Sequence, residues 1–270
     1  MMVSSVSILC MAVSALLSIG VPVALLIVFR KKYGAKIVPA LAGAAAFVVF
    51  VLVLGRIMNQ FVMKPEADGS IWITNYPFWY MLYSCFAAGI FGETGRFLSF
   101  KLLKRRYGGI ETGLSYGIGY GGSEAILLGG IAMINALVLS VIANSTNGSY
   151  NTMVFIEAAV NAAQPPATFL QSGIDRIFTL SIHISLSVIV FYSVYENRRL
   201  WLYPAAILLR ALINIPAALA RVGVLTNDIL NEAFFYLGAV ALVLIAVHTH
   251  RKLKPVEIPV TEDENADEKF

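Results

Sequence analysis

Charge is scarce in this chain of 270 residues. Asp, Glu, Lys and Arg make up 13% of it, against 58% for the hydrophobic set. Soluble globular domains carry about 25% charged and about 45–50% apolar residues. The shortfall excludes a soluble enzyme and a disordered chain. It also excludes a typical nucleic-acid-binding protein, although the pI is near 9.0. Histidine is scarcer still, with only His183, His248 and His250. Cys10 and Cys85 both lie in apolar stretches, so no disulfide framework or zinc ribbon is implied. With a mean hydropathy of +0.75, the chain reads as a polytopic membrane protein whose first partner is the lipid bilayer.

Long apolar runs are what it does have. A helix needs about 20 mostly apolar residues to cross the hydrocarbon. Seven runs qualify: Val6 to Phe29, Ile37 to Leu54, Phe78 to Glu93, Leu114 to Ala143, Ile174 to Tyr195, Leu200 to Leu219 and Asn231 to Val247. They predict an all-α, polytopic membrane helical bundle. The first run lacks the basic start and small-residue cleavage site of a signal peptide, so it reads as a retained span. Clusters of basic residues follow the odd-numbered runs: Arg30, Lys31, Lys32 and Lys36; Lys101, Lys104, Arg105 and Arg106; Arg198 and Arg199; Arg251, Lys252 and Lys254. The other loops hold little beyond Arg56, Lys64 and Arg221. The positive-inside rule then puts the N-terminus outside and the C-terminus inside, which requires an odd number of spans.

Residues 1–255 therefore read as one transmembrane domain. Residues 256–270, rich in acids from Glu257 to Glu268, read as a disordered cytoplasmic tail. Two loops are longer than a turn requires. Arg56 to Tyr76 holds the turn pairs Lys64-Pro65 and Asp68-Gly69. Asn144 to Gln171 places a short interfacial helix, Met153 to Ala163, ahead of Pro165-Pro166.

A charge at the bilayer centre costs about 2.5–3.5 kcal/mol on insertion scales. Each such residue needs a reason. Glu93 and Arg96, three apart, share a helix face and either pair structurally or form a site, with Arg96 also able to reach headgroups. Asp175 and Arg176 fall at the outer start of the fifth run, where an acid suits a helix N-terminus. Gly113, Gly117, Gly121, Ala125 and Gly129 form a small-residue ridge, and Tyr116, Tyr120 and Glu124 form a second stripe beside it. Packing explains the glycines but not a carboxylate beside them. His183 either links two helices as a neutral imidazole or serves a site. Arg210 and Asn214, one turn apart, face the same way, and Arg210 is expected to neutralise Glu93 or Glu124.

Zinc hydrolysis needs three convergent protein ligands and an open position. Only His183 is at membrane depth, so no metal or other cofactor is expected. A metal-free route would use Glu93 or Glu124 as base, with His183 and Asn214 as polar partners.

The segments Ala88-Gly89-Ile90-Phe91-Gly92-Glu93-Thr94-Gly95-Arg96, Gly117 to Leu127, Asp175-Arg176 with His183, and Arg210 to Leu219 resemble the four motifs of the YhfC family, in the family's order. The resemblance implies a glutamic-type intramembrane protease fold, related to the CAAX prenyl endopeptidase and bacteriocin-immunity membrane proteins, in a bacterial plasma membrane. Glu93, Arg96, Glu124, Arg176, His183 and Asn214 match the family pattern. Gly92 stands where the resemblance implies a water-activating glutamate, and Tyr120 and Arg210 stand where it implies histidines. Asp175 replaces a glutamate. Tyrosine titrates near about 10 and arginine above about 12, so neither replaces a histidine acid–base near neutrality. The expectation is an impaired protease-like protein that binds a membrane peptide, a protein partner or a lipid-like ligand. An active divergent peptidase using Glu93 or Glu124 with His183, and a transporter-like module, are the alternatives.

Overall fold

A computed structural model describes residues 2–66, 70–145, 152–196 and 199–253. The acidic tail, Arg198, Lys254 and the Asp68-Gly69 turn lie outside the described residues.

The chain is a helical bundle. Helix α1 spans Ser5–Tyr33. Helix α2 (Ile37–Ala46) continues through a π-helical stretch, Phe47–Gly55, into α3 (Arg56–Val62). Helix α4 is Pro77–Leu103. Helix α5 (Ile110–Glu124) passes through a second π-helical stretch, Ala125–Gly130, into α6 (Ile131–Ser145). Then come α7 (Thr152–Ala163), α8 (Pro166–Tyr195), α9 (Leu202–Arg221) and α10 (Asp228–Lys252). Six continuous helical stretches are long and apolar enough to cross a membrane. The seventh crossing, α4, is long enough at 27 residues but carries Glu93, Arg96 and Lys101. Helix α7 matches the short helix expected before the double proline.

Local chemistry marks the ends. Ser4 caps α1 by accepting from the Ser7 amide at 3.0 Å. Gly34, at φ +64°, closes it in the left-handed conformation that side chains disfavour. Arg30, Lys31 and Lys32 in its last turn complement the helix dipole. Asn227 caps α10 in the same way as Ser4 caps α1, accepting from the Leu230 amide at 3.0 Å. Beyond α3, Pro65 and Ile71 form an isolated antiparallel bridge.

Helix α8 is the hub. Its most apolar window is 78% buried, against 17–28% for the other spanning segments, and it packs on α1, α4, α5, α9 and α10. A helix apolar on all sides belongs in the middle of a bundle. The predicted glycine ridge lies along it. A Cβ on Gly117 would sit 2.7 Å from the Ile184 Cα, and one on Gly121 would sit 2.9 Å from the His183 Cβ. One on Gly129 would sit 2.8 Å from the Arg176 Cδ. These glycines let α5 and α8 approach closely enough for Glu124 to reach His183. On the other side of α4, the Ile207 carbonyl would lie 2.9 Å from a Cβ on Gly89, and Tyr203 stacks on Phe97 at 4.6 Å. That contact seats α9 beside the polar centre.

Two expectations change. Helix α8 begins at Pro166, so Asp175 and Arg176 lie more than two turns inside it rather than at its N-terminus. The double proline starts the helix, because Pro166 fits the first helical position, where no amide donor is needed. Arg96 does not reach headgroups: α4 runs on to Leu103 and buries it completely.

Candidate functional site

Three helices bring one chain of charges together. From α4, Arg96 forms an ion pair with Glu93 through Nη1. Its Nε donates to Ser187 Oγ at 3.0 Å, and its Nη2 lies 2.5 Å from His183 Nδ1. From α8, His183 Nε2 lies 2.7 Å from Glu124 Oε2 on α5. Arg176 Nη1 sits 3.7 Å from the other oxygen of Glu124. The order is carboxylate, guanidinium, imidazole, carboxylate, guanidinium.

A guanidinium can only donate. Nδ1 of His183 must therefore accept from Arg96, and the ring proton sits on Nε2, where it donates to Glu124. His183 is a neutral imidazole engaged on both sides. This satisfies the reading of His183 as a linker between helices, and it also places a carboxylate within direct hydrogen-bond reach of the imidazole.

Aromatic rings wall the inner half. The Arg96 guanidinium stacks 4.2 Å above the Tyr120 ring, which also packs on His183 at 4.9 Å and on Phe47 at 5.5 Å. Phe47 opens the first π-helical stretch and Glu124 directly precedes the second, so both irregular stretches border this centre. Single π-helical turns often mark functional sites. Access is graded: Arg176 is 25% exposed and Glu124 14%, but His183 and Glu93 only 3% and 1%.

The remaining candidates lie to the side. Asp175 turns away to α10, where it accepts from the Tyr236 hydroxyl at 2.8 Å. Arg210 forms no ion pair with Glu93 or Glu124 within 4.0 Å, contrary to the expected neutralisation, because Arg96 and Arg176 already hold those carboxylates. Asn214 shares its face one turn on but makes no hydrogen bond among the described residues. Sequence reasoning missed Ser187 and Tyr236. Ser187 lies one turn beyond His183, a spacing that points to the same face, whereas nothing in the sequence links Tyr236 to Asp175.

The family described as YhfC intramembrane metalloprotease matches residues 14–235. The chain belongs to the YhfC family. It is also similar to the uncharacterized membrane protein YhfC of Bacillus subtilis (strain 168), with 32% identity over 235 residues. That match covers 84% of this chain and 90% of the relative. No solved structure matches. This YhfC-family chain is a protease-like, multi-pass protein of the bacterial plasma membrane.

The family description implies a metal, and the donor set does not fit one. A catalytic metal requires three protein ligands converging on an open position. No such group of His, Cys, Asp or Glu exists among the described residues. Arg96 bridges Glu93 and His183, so a permanent cation already lies between two of the three candidate donors. Neither ring nitrogen of His183 is free to coordinate without breaking a bond to Arg96 or Glu124.

Proposed function

We propose that this YhfC-family protein acts by binding a membrane-embedded peptide rather than by hydrolysing it. The observation that carries this reading is the double engagement of His183, held at Nδ1 by Arg96 and at Nε2 by Glu124. General acid–base hydrolysis needs a group that takes a proton from water and returns it to the leaving amine. Here Glu93 is held by Arg96, and Glu124 accepts from His183 beside Arg176. Gly92, Tyr120 and Arg210 stand where the resemblance implies a glutamate and two histidines. Peptide is the ligand class in keeping with the protease description of the family.

The test uses the full chain in lipid nanodiscs with a panel of apolar membrane peptides. Binding is followed by fluorescence anisotropy and cleavage by mass spectrometry. Saturable binding without cleavage is expected. Robust turnover that Glu93→Gln abolishes would overturn the reading.

The contact of 2.7 Å between Glu124 and His183 favours one second reading, a divergent peptidase in which Glu124 is the base. It requires turnover by the parent chain that Glu124→Gln removes. Restoring Gly92→Glu, Tyr120→His and Arg210→His together separates the two readings. Activity gained only by the triple variant supports a scaffold that lacks its chemistry.

A further inference from the structure

A groove separate from the chain of charges lies between α4 and the continuous helix that runs from α2 through the first π-helical stretch into α3. Val51, Gly55, Asn59 and Met63, each four residues on from the last, form one wall. The facing wall is one side of α4, from Tyr83 and Ser84 to Ala87, Ala88 and Phe91. The cavity measures about 190 Å³ and opens to the outside of the bundle, where Ala88 and Asn59 are exposed. It is hollow because Gly55, Ala87 and Ala88 carry at most a methyl group. Below Phe91 the two helices close up, with the Phe50 ring 2.8 Å from where a Cβ on Gly95 would lie. At the other end the Tyr83 hydroxyl donates to Oδ1 of Asn59 at 2.7 Å and ties the walls together. The amide nitrogen of Asn59 makes no hydrogen bond among the described residues.

Depth decides what fills the groove. The spanning helix starts at Ile37, directly after the basic cluster that ends at Lys36. Arg56 is 19 residues further on, about 28 Å at a rise of about 1.5 Å per residue. The hydrocarbon is about 30 Å thick, so Arg56 emerges at its far edge. Val51 and Gly55, with Ala87, Ala88 and Phe91 opposite, lie on the hydrocarbon side of that edge. Asn59 and Tyr83 lie on the headgroup side. Arg56 marks the division, following Gly55 and three residues before Asn59, whose face it shares. It is exposed, and its guanidinium makes no ion pair within 4.0 Å and no hydrogen bond among the described residues.

A phospholipid has the same division, an acyl chain below and a phosphate above. A peptide helix, about 10–12 Å across, is too wide for this cavity. An extended peptide would carry unpaired amides into its apolar part. We propose that the groove binds one anionic phospholipid of the leaflet away from the basic clusters, the outer leaflet by the positive-inside rule. Its acyl chain runs along Gly55, Ala88, Val51 and Phe91. Its phosphate accepts charge-assisted hydrogen bonds from Arg56, and the free amide of Asn59 donates to the ester region. This site does not depend on peptide binding at the polar centre.

The experiment places the full chain in nanodiscs that contain a trace of phosphatidylglycerol with a photoreactive diazirine in its acyl chain. Labelled residues are located by mass spectrometry. Val51, Ala87, Ala88 and Phe91 should be labelled well above Leu237 and Val240, which are exposed on α10. Ala88→Phe, which fills the groove, should remove the groove labels and keep those on α10, with size-exclusion chromatography confirming the fold. Arg56→Gln, at an exposed position, should lower groove labelling by about fivefold, the worth of one cation beside an anionic lipid. A phosphatidylcholine probe with the same acyl chains should label the groove less, and Arg56→Gln should leave that level unchanged. Equal labelling of the groove and α10 means bulk lipid only and overturns the site. Groove labelling by phosphatidylglycerol that Arg56→Gln leaves intact, or that an apolar peptide displaces and unlabelled phosphatidylglycerol does not, overturns it as well.

Discussion

Arg96 Nη2 lies 2.5 Å from Nδ1 of His183, so the one histidine at membrane depth is pinned as a neutral tautomer with its proton on Nε2. Nitrogen NMR of histidine-labelled protein, assigned with His183→Gln, checks this directly. Nδ1 of His183 is expected to show no attached proton and Nε2 to show one. A proton on Nδ1 would contradict the arrangement, because it would point at a guanidinium that can only donate.

Removing Arg96 should be costly. Arg96→Met leaves Glu93, only 1% exposed, as a buried carboxylate without its cation. Breaking a buried pair from one side costs about 3–5 kcal/mol. The double variant Glu93→Gln with Arg96→Met should recover part of that loss. Thermal unfolding in detergent checks the order: parent most stable, double variant next, single variant least.

Gly92 and Tyr120 should be energetically coupled. A Cβ on Gly92 would sit 3.1 Å from the Tyr120 hydroxyl, and Tyr120 is fully enclosed. Gly92→Glu alone should destabilise by about 1–3 kcal/mol, the usual cost of overpacking. Adding Tyr120→His should relieve it, giving an interaction energy of about 0.5–3 kcal/mol in a double-mutant cycle. Simple additivity of the two changes would show that the tyrosine does not occupy the space over Gly92.

The contact between α5 and α8 should not tolerate bulk. Gly117→Val would drive its side chain into the Ile184 backbone, 2.7 Å from the new Cβ, where no side-chain rotation helps. The folded fraction in size-exclusion chromatography should collapse. Gly55→Ala is the control: its Cβ would meet the Phe50 carbonyl at an ordinary 3.6 Å, and folding should be unaffected.

The glycine ridge and the ion pair of Glu93 with Arg96 were legible because both are local. Residues three or four apart on a helix share a face whatever surrounds them. The partner of Arg210 was not legible in this way. Neutralisation of Glu93 or Glu124 was a sound electrostatic expectation, yet Arg96 and Arg176 hold those positions, and charge alone does not say which of three arginines wins. The start of α8 was misread for a different reason. The helix begins at Pro166, and its first turns mix Phe169 and Leu170 with Thr168, Gln171 and Ser172, which interrupts the apolar run without interrupting the helix.

The compartment, the all-helical class and the approximate span limits follow from the sequence alone, because the hydrocarbon core demands long apolar helices whatever their neighbours. Only the tertiary structure decides that α8 is the hub, that Arg96 is buried, and that His183 is gripped between Arg96 and Glu124. Each of these depends on which helices lie side by side and how closely. That follows from interhelical packing between residues such as Gly117 and Ile184, far apart in the chain.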